Sequence, residues 1–210
     1  MKQIRRNVFE TNSSSSHSLV ITTDNEHYTR EEINKDFYMT DGIVRLWDSS
    51  LEFYRSPFDM LVTFRDKLRY AIASSNGNLV NQCRELCQKY VDGFVDFKFD
   101  KIDYVWDSEV EDYVETDDPI PNYGGTDDYQ IEGWLKHYNI SLEEFLTNKR
   151  YIVVVDGDEY CVWSNIKNSG LVDVKKIIHD SYEESETERR EQYLTQLEKE
   201  KKDAESLHGV

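Results

Sequence analysis

"RYIVVVDGDEYCVW", Arg150 to Trp163, places two β-rich runs on either side of Asp156-Gly157. That residue pair suits a type I′ turn, in which both central residues take positive φ, so the spacing predicts an antiparallel hairpin. Just upstream, "SLEEFLTNK" sets Ser141 and Glu144 at capping-box spacing for a short helix ending near Lys149. Downstream, "LVDVKKII" reads as one further strand.

The N-terminal half follows the same logic. "QIRRNVF", "ETNSSSSH" and "SLVITT" read as strand, polar loop and strand over Gln3 to Thr23. Thr29 and Glu32 cap a short helix over Arg30 to Asp36, and "GIVRLW" (Gly42 to Trp47) alternates as a strand. In "SPFDMLVTFRDKLRYAIASS", Ser56 is the expected N-cap, with Pro57 in the first turn and Asp59 at the third position. Phe58, Leu61, Val62, Leu68 and Ala71 or Ile72 fall near helical spacing. "SNGN" (Ser75 to Asn78) breaks that helix, and a second, Leu79 to Val91, carries Leu79, Cys83, Leu86, Cys87 and Tyr90 on one face. Together they form an expected helical hairpin.

Strand alternation then returns in "GFVDFKFDKIDYVWDSEVEDYV". Val95, Phe97 and Phe99 occupy odd positions, whereas Ile102, Tyr104 and Trp106 occupy even ones. The parity flip at Asp100-Lys101 requires a turn or bulge, because side chains in a strand alternate with period two. "DDPIPNYGGTDD" (Asp117 to Asp128) reads as a long loop, and the charged run from Glu183 onward as a solvated terminal helix held by ion pairs. The expected architecture is α+β: antiparallel β-sheet hairpins packed with a helical hairpin in one domain over residues 1–180. A charged peripheral helix or tail follows over 181–210.

The 210 residues carry a net charge of -17, which opposes direct binding to nucleic acid and favours a basic partner. Aromatic residues at 13% supply large buried area and argue against disorder throughout. No secretory or membrane-spanning pattern is present, so a cytoplasmic location is expected. Three cysteines, an odd number, fit a reducing compartment. Cys83 and Cys87 share a helix face, but neither Cys161 nor any histidine completes a zinc-ligand spacing. "YGGTDD" lacks the lysine of a phosphate loop and "DGDEY" the remaining ligands of a calcium loop, so no metal or cofactor is expected. The terminal run has no sustained heptad, so dimerisation through it is not the expectation.

The charge is concentrated. Between Asp92 and Gly133 stand fourteen carboxylates against Lys98 and Lys101. If residues 102–111 are extended, Ile102, Tyr104, Trp106 and Val110 point one way and Asp103, Asp107, Glu109 and Glu111 the other. Same-face neighbours in a strand lie about 6.7 Å apart. Such a row, extended by Asp112 and Glu115, has three readings: a solvated strand face, a protein-binding face that imitates a line of phosphates, or a divalent-metal site. The last requires convergence, and a row diverges. Tyr104, Trp106, Tyr113 or Tyr123 would anchor a protein contact if exposed.

The other candidate is the loop of Asn12, Ser13, Ser14, Ser15, Ser16 and His17. It contains the residue types of a nucleophile and base, but no Gly-x-Ser-x-Gly elbow presents a serine, so no catalytic residue is assigned. An anion nest near Arg5 and Arg6, or an ordinary loop closed by its own side chains, uses the same composition.

"RRNVFETNSSSSHSLVI" resembles the opening of a family of small proteins from phages and prophages of Gram-positive bacteria, over roughly the first tenth of the chain. The resemblance implies a phage-type accessory protein acting in a bacterial cytoplasm. In that setting an acidic, aromatic-rich protein is similar to the inhibitors phages direct at host nucleases, including anti-CRISPR and anti-restriction proteins. The expected function is therefore inhibition of a host defence protein by nucleic-acid mimicry on a basic surface. The alternatives are a small enzyme or ligand-binding protein using Asn12 to His17 on a phosphate-containing metabolite or nucleotide, and a phage structural component.

Overall fold

The structure is a computed structural model that describes residues 16–46, 51–53, 58–123, 130–156 and 162–180. It begins with strand β1 (Ser16–Thr22), helix α1 (Arg30–Lys35) and strands β2 (Ile43–Leu46) and β3 (Asp59–Leu61). Helices α2 (Phe64–Ser74) and α3 (Val80–Tyr90) follow, then strands β4 (Asp96–Phe99), β5 (Lys101–Asp107) and β6 (Asp112–Pro121). Helices α4 (Gln130–His137) and α5 (Leu142–Thr147), strand β7 (Tyr151–Asp156), helix α6 (Val162–Ser169) and strand β8 (Ile177–Asp180) complete it. The fold class is α+β, with helices beside antiparallel sheets. The charged run from Glu183 lies outside the described residues.

The central sheet has the order β3-β7-β1-β8 and is antiparallel throughout. Its register explains the apolar run of β7. Val153 stands between Leu19 of β1 and Leu61 of β3, and all three belong to the main core. One residue along, Ile152 and Val154 pair with Val20 and Met60 and join Ile166 in a second cluster. A strand buried on both faces reads as a continuous apolar run rather than an alternating one.

That two-sided burial also corrects the expected hairpin. Both edges of β7 are occupied by distant strands, and residues 162–169 form α6, whose buried Ile166 covers the sheet's second face. Gly157 itself lies outside the described residues. Apolar residues such as Val162 and Ile166, four apart, serve a helix as readily as the end of a β-rich run.

Three other expectations change. The helix placed from Ser56 begins instead at Phe64, with Thr63 as N-cap accepting from the Asp66 N–H and donating its hydroxyl to the Asp66 carboxylate. Asp59–Leu61 are spent on pairing with Val153–Val155. Residues 117–121, expected in a loop, belong to β6, which tolerates Pro119 and Pro121 because both strands of a two-stranded ribbon are edges. The pair β2 and β4 is parallel, a departure from the all-antiparallel expectation. The capping box of Thr29 and Glu32 on α1 and the Ser141 cap on α5 are both present. The parity flip falls at Asp100, between β4 and β5.

A lysine is buried against the main core. Lys67 is fully buried and donates from Nζ to the Phe145 carbonyl at 2.8 Å and the Asn148 carbonyl at 2.9 Å. These belong to the end of α5, where helix carbonyls lack intrahelical partners. The rings of Tyr28 and Phe145 lie 4.9 and 5.6 Å from Nζ. Burial pushes the Lys67 amine down to about 7, partly offset by Glu144.

Gly77, after α2, has φ +81°, and a Cβ there would lie 2.5 Å from the Tyr123 ring. Only glycine serves both the left-handed backbone and this close approach. Gly77→Ala is therefore expected to destabilise the protein by about 2 kcal/mol in urea unfolding, from combined backbone strain and overpacking. An unchanged unfolding midpoint would contradict this packing.

Candidate functional site

The acidic segment folds as a ribbon of β5 and β6 rooted in the core at one end. At the root, Phe99 and Tyr123 meet edge to face at 4.9 Å, and the Asn122 N–H donates to the Asp100 carbonyl at 2.7 Å. Beyond the root, no described residue of 101–121 is buried.

The register defines two faces. Tyr104 lies opposite Glu115 and Trp106 opposite Tyr113, while Val105 lies opposite Val114 and Asp107 opposite Asp112. Between Ile102 and Tyr104 the pairing slips, since Ile102 lies opposite Ile120, and residues 116–119 bulge out. Lys101 Nζ donates to the Pro119 carbonyl across this bulge. Ser108 to Glu111 form the tip, where the Glu109 N–H donates to the Asp107 carboxylate and Glu111 adopts φ +54°.

This geometry corrects the expected row of carboxylates. Asp103 and Asp107 belong to β5, but Glu109 and Glu111 lie in the turn, and Asp112 and Glu115 come from β6. Asp107, Glu109, Glu111 and Asp112 gather at the tip instead of forming one line. Nor do Tyr104 and Tyr113 form a buried backing. Tyr104 is 56% exposed and Tyr113 64%, with Val105, Val110 and Ile120 also exposed. Residues 101–121 thus hold eight carboxylates and one lysine and, among the described side chains, five exposed large apolar ones. Tyr104 and Tyr113 were visible in the sequence as conditional anchors. Val110 reads in the sequence as part of the apolar backing, and Val105 and Ile120 carry no signal of exposure, because an aliphatic residue in an alternating strand reads as core.

The serine loop divides. Asn12, Ser13, Ser14 and Ser15 lie outside the described residues, while Ser16 and His17 open β1. His17 is buried. Its Nε2 lies 2.8 Å from the Phe53 carbonyl and its Nδ1 3.1 Å from the Tyr70 hydroxyl. A carbonyl can only accept, so Nε2 carries a proton, and in the neutral imidazole Nδ1 then accepts from the Tyr70 hydroxyl. Tyr70 in turn stacks on Trp134 and meets Phe53 edge to face. His17 is a satisfied core histidine in this arrangement. His17→Ala removes a donor from Phe53 and an acceptor from Tyr70, and a loss of about 2 kcal/mol in thermal or urea unfolding is expected. Retained stability would show that this pairing contributes nothing.

Cys83 and Cys87 are buried in α3, and burial raises both thiols above their usual range, so neither is a ready nucleophile. Among the described residues no cluster of three or more His, Cys, Asp or Glu side chains is placed to hold a metal ion. Among the same residues no helix is long and apolar enough to cross a membrane. Compared with protein-family models, curated proteins and solved structures, the chain matches none.

Proposed function

We propose that this protein is a phage-type acidic inhibitor that uses the β5–β6 ribbon to bind a basic, nucleic-acid-handling surface of a host defence protein, of the anti-CRISPR or anti-restriction kind. The observation that carries the reading is the ribbon itself: exposed Tyr104, Tyr113, Val105, Val110 and Ile120 among carboxylates of one sign. Exposed apolar side chains rimmed by charge mark protein interaction sites, and tyrosine is a favoured anchor in them.

Asp107 directly opposite Asp112 adds support. Like charges paired across two strands destabilise a ribbon, and local conflicts of this kind gather where function needs them. A surface built to hold phosphates would relieve that repulsion with Lys and Arg, and steer the ribbon in from a distance.

The test is competition. The protein is titrated into a guide-loaded RNA-guided DNA nuclease and into a restriction endonuclease, each with its DNA, at low and moderate salt. Displacement of DNA or loss of cleavage, weakening as salt rises, is the expected result with at least one of them. Cleavage unaffected in both at micromolar protein would overturn the reading.

A further inference from the structure

The ribbon has exposed apolar side chains on both of its faces, not on one. By register, Tyr104 and Tyr113 share a face with Glu115, and Val105 shares the opposite face with Val114, Asp107 and Asp112. Tyr104, Val105 and Tyr113 are all among the exposed large apolar residues, and Val110 and Ile120 lie exposed at either end. A ribbon laid flat on a partner would cover one face and leave the other in water. Apolar side chains on that outer face would then gain nothing from the contact.

Resting on the reading above, we infer that the ribbon is inserted tip first into a cleft of its partner and is covered on both faces. The occupant is committed by charge: eight carboxylates against Lys101 call for a cleft whose walls carry lysine and arginine. Sheets pack about 10 Å from what covers them, so the two walls would stand about 20 Å apart, backbone to backbone. Nucleic-acid channels of guided nucleases are positively charged clefts of this kind. The tip, where Asp107, Glu109, Glu111 and Asp112 gather, would enter first, and the tyrosine and valine faces would seat against opposite walls.

The experiment uses whichever nuclease the intact protein inhibits in the competition assay. A photo-reactive benzoylphenylalanine is placed at Tyr113 in one variant and at Val114 in another, adjacent positions on opposite faces. Crosslinks to the nuclease from both positions are expected. In parallel, Tyr104→Ser with Tyr113→Ser, and Val105→Ser with Val114→Ser, are each expected to weaken inhibition at least tenfold. Crosslinks from one face alone would overturn insertion while leaving the inhibitor reading standing. Crosslinks from neither, with inhibition intact, would remove the ribbon from the contact and overturn both. Inhibition of neither nuclease would overturn the reading and the inference with it. The crosslinking arm keeps the result decisive should a serine pair unsettle the ribbon.

Discussion

Replacing Asp107, Glu109 and Glu111 together by lysine is expected to weaken inhibition about 100-fold at low salt, within the range by which electrostatic steering changes association rates. The triple variant turns three negative charges at the tip into three positive ones. All three residues sit at or beside the tip turn, outside the core, so the fold has little reason to change. The loss should fall mainly on the association rate and shrink as salt rises, because exposed charges are screened over about 10 Å at 0.1 M salt. Stopped-flow association at three salt concentrations separates this from a packing effect, which would appear in dissociation and persist in salt. Equal inhibition by wild type and variant at low salt would remove the carboxylates from the mechanism.

The second large effect concerns Lys67. Lys67→Met keeps a long side chain but removes the donors to the Phe145 and Asn148 carbonyls. A buried acceptor left without its donor costs about 1–3 kcal/mol, so a loss of about 3 kcal/mol is expected near pH 9. The pH dependence carries a definite sign. The unfolded chain holds this proton up to about pH 10.4. The folded chain holds it only to about 7. Between those values the unfolded state binds more protons, so the Lys67 contribution to wild-type stability rises with pH. Below 7 both states are charged and the burial penalty is constant. The gap between wild type and Lys67→Met should therefore be smallest below about pH 7 and grow toward pH 9.5. A gap independent of pH would mean that the amine stays charged in the core.

Local signals in the sequence predicted local structure well. Thr29 with Glu32, Ser141 with Glu144, and the parity flip at Asp100 are each decided by residues a few positions apart, and each falls where expected. The failures share a cause. Ser56-Pro57 looks like a helix start until Asp59–Leu61 are claimed by β7, almost a hundred residues away. The run after Asp156-Gly157 looks like a returning strand until β1 and β3 take both edges of β7. Pairing partners at such distances leave no local mark. Lys67 did leave one: it falls three residues after Phe64 and next to Leu68, on the apolar stripe of α2. At the ribbon, the carboxylates and Tyr104 were legible as a group. Their separation into a tip and two faces was not, because it depends on where the turn falls.

The pairing of β1 with β7 also sets a timetable for synthesis. Ser16 lies opposite Asp156 in the finished sheet, so β1 leaves the ribosome long before this neighbour exists. At ~5–20 residues per second the wait is on the order of ten seconds, far longer than a hairpin needs to close. Through that interval Leu19, Val20 and Ile21 have no sheet to join. Nascent chains of this protein should therefore lean on ribosome-associated chaperones until residue 156 emerges, and overproduction should favour aggregation over misfolded monomer.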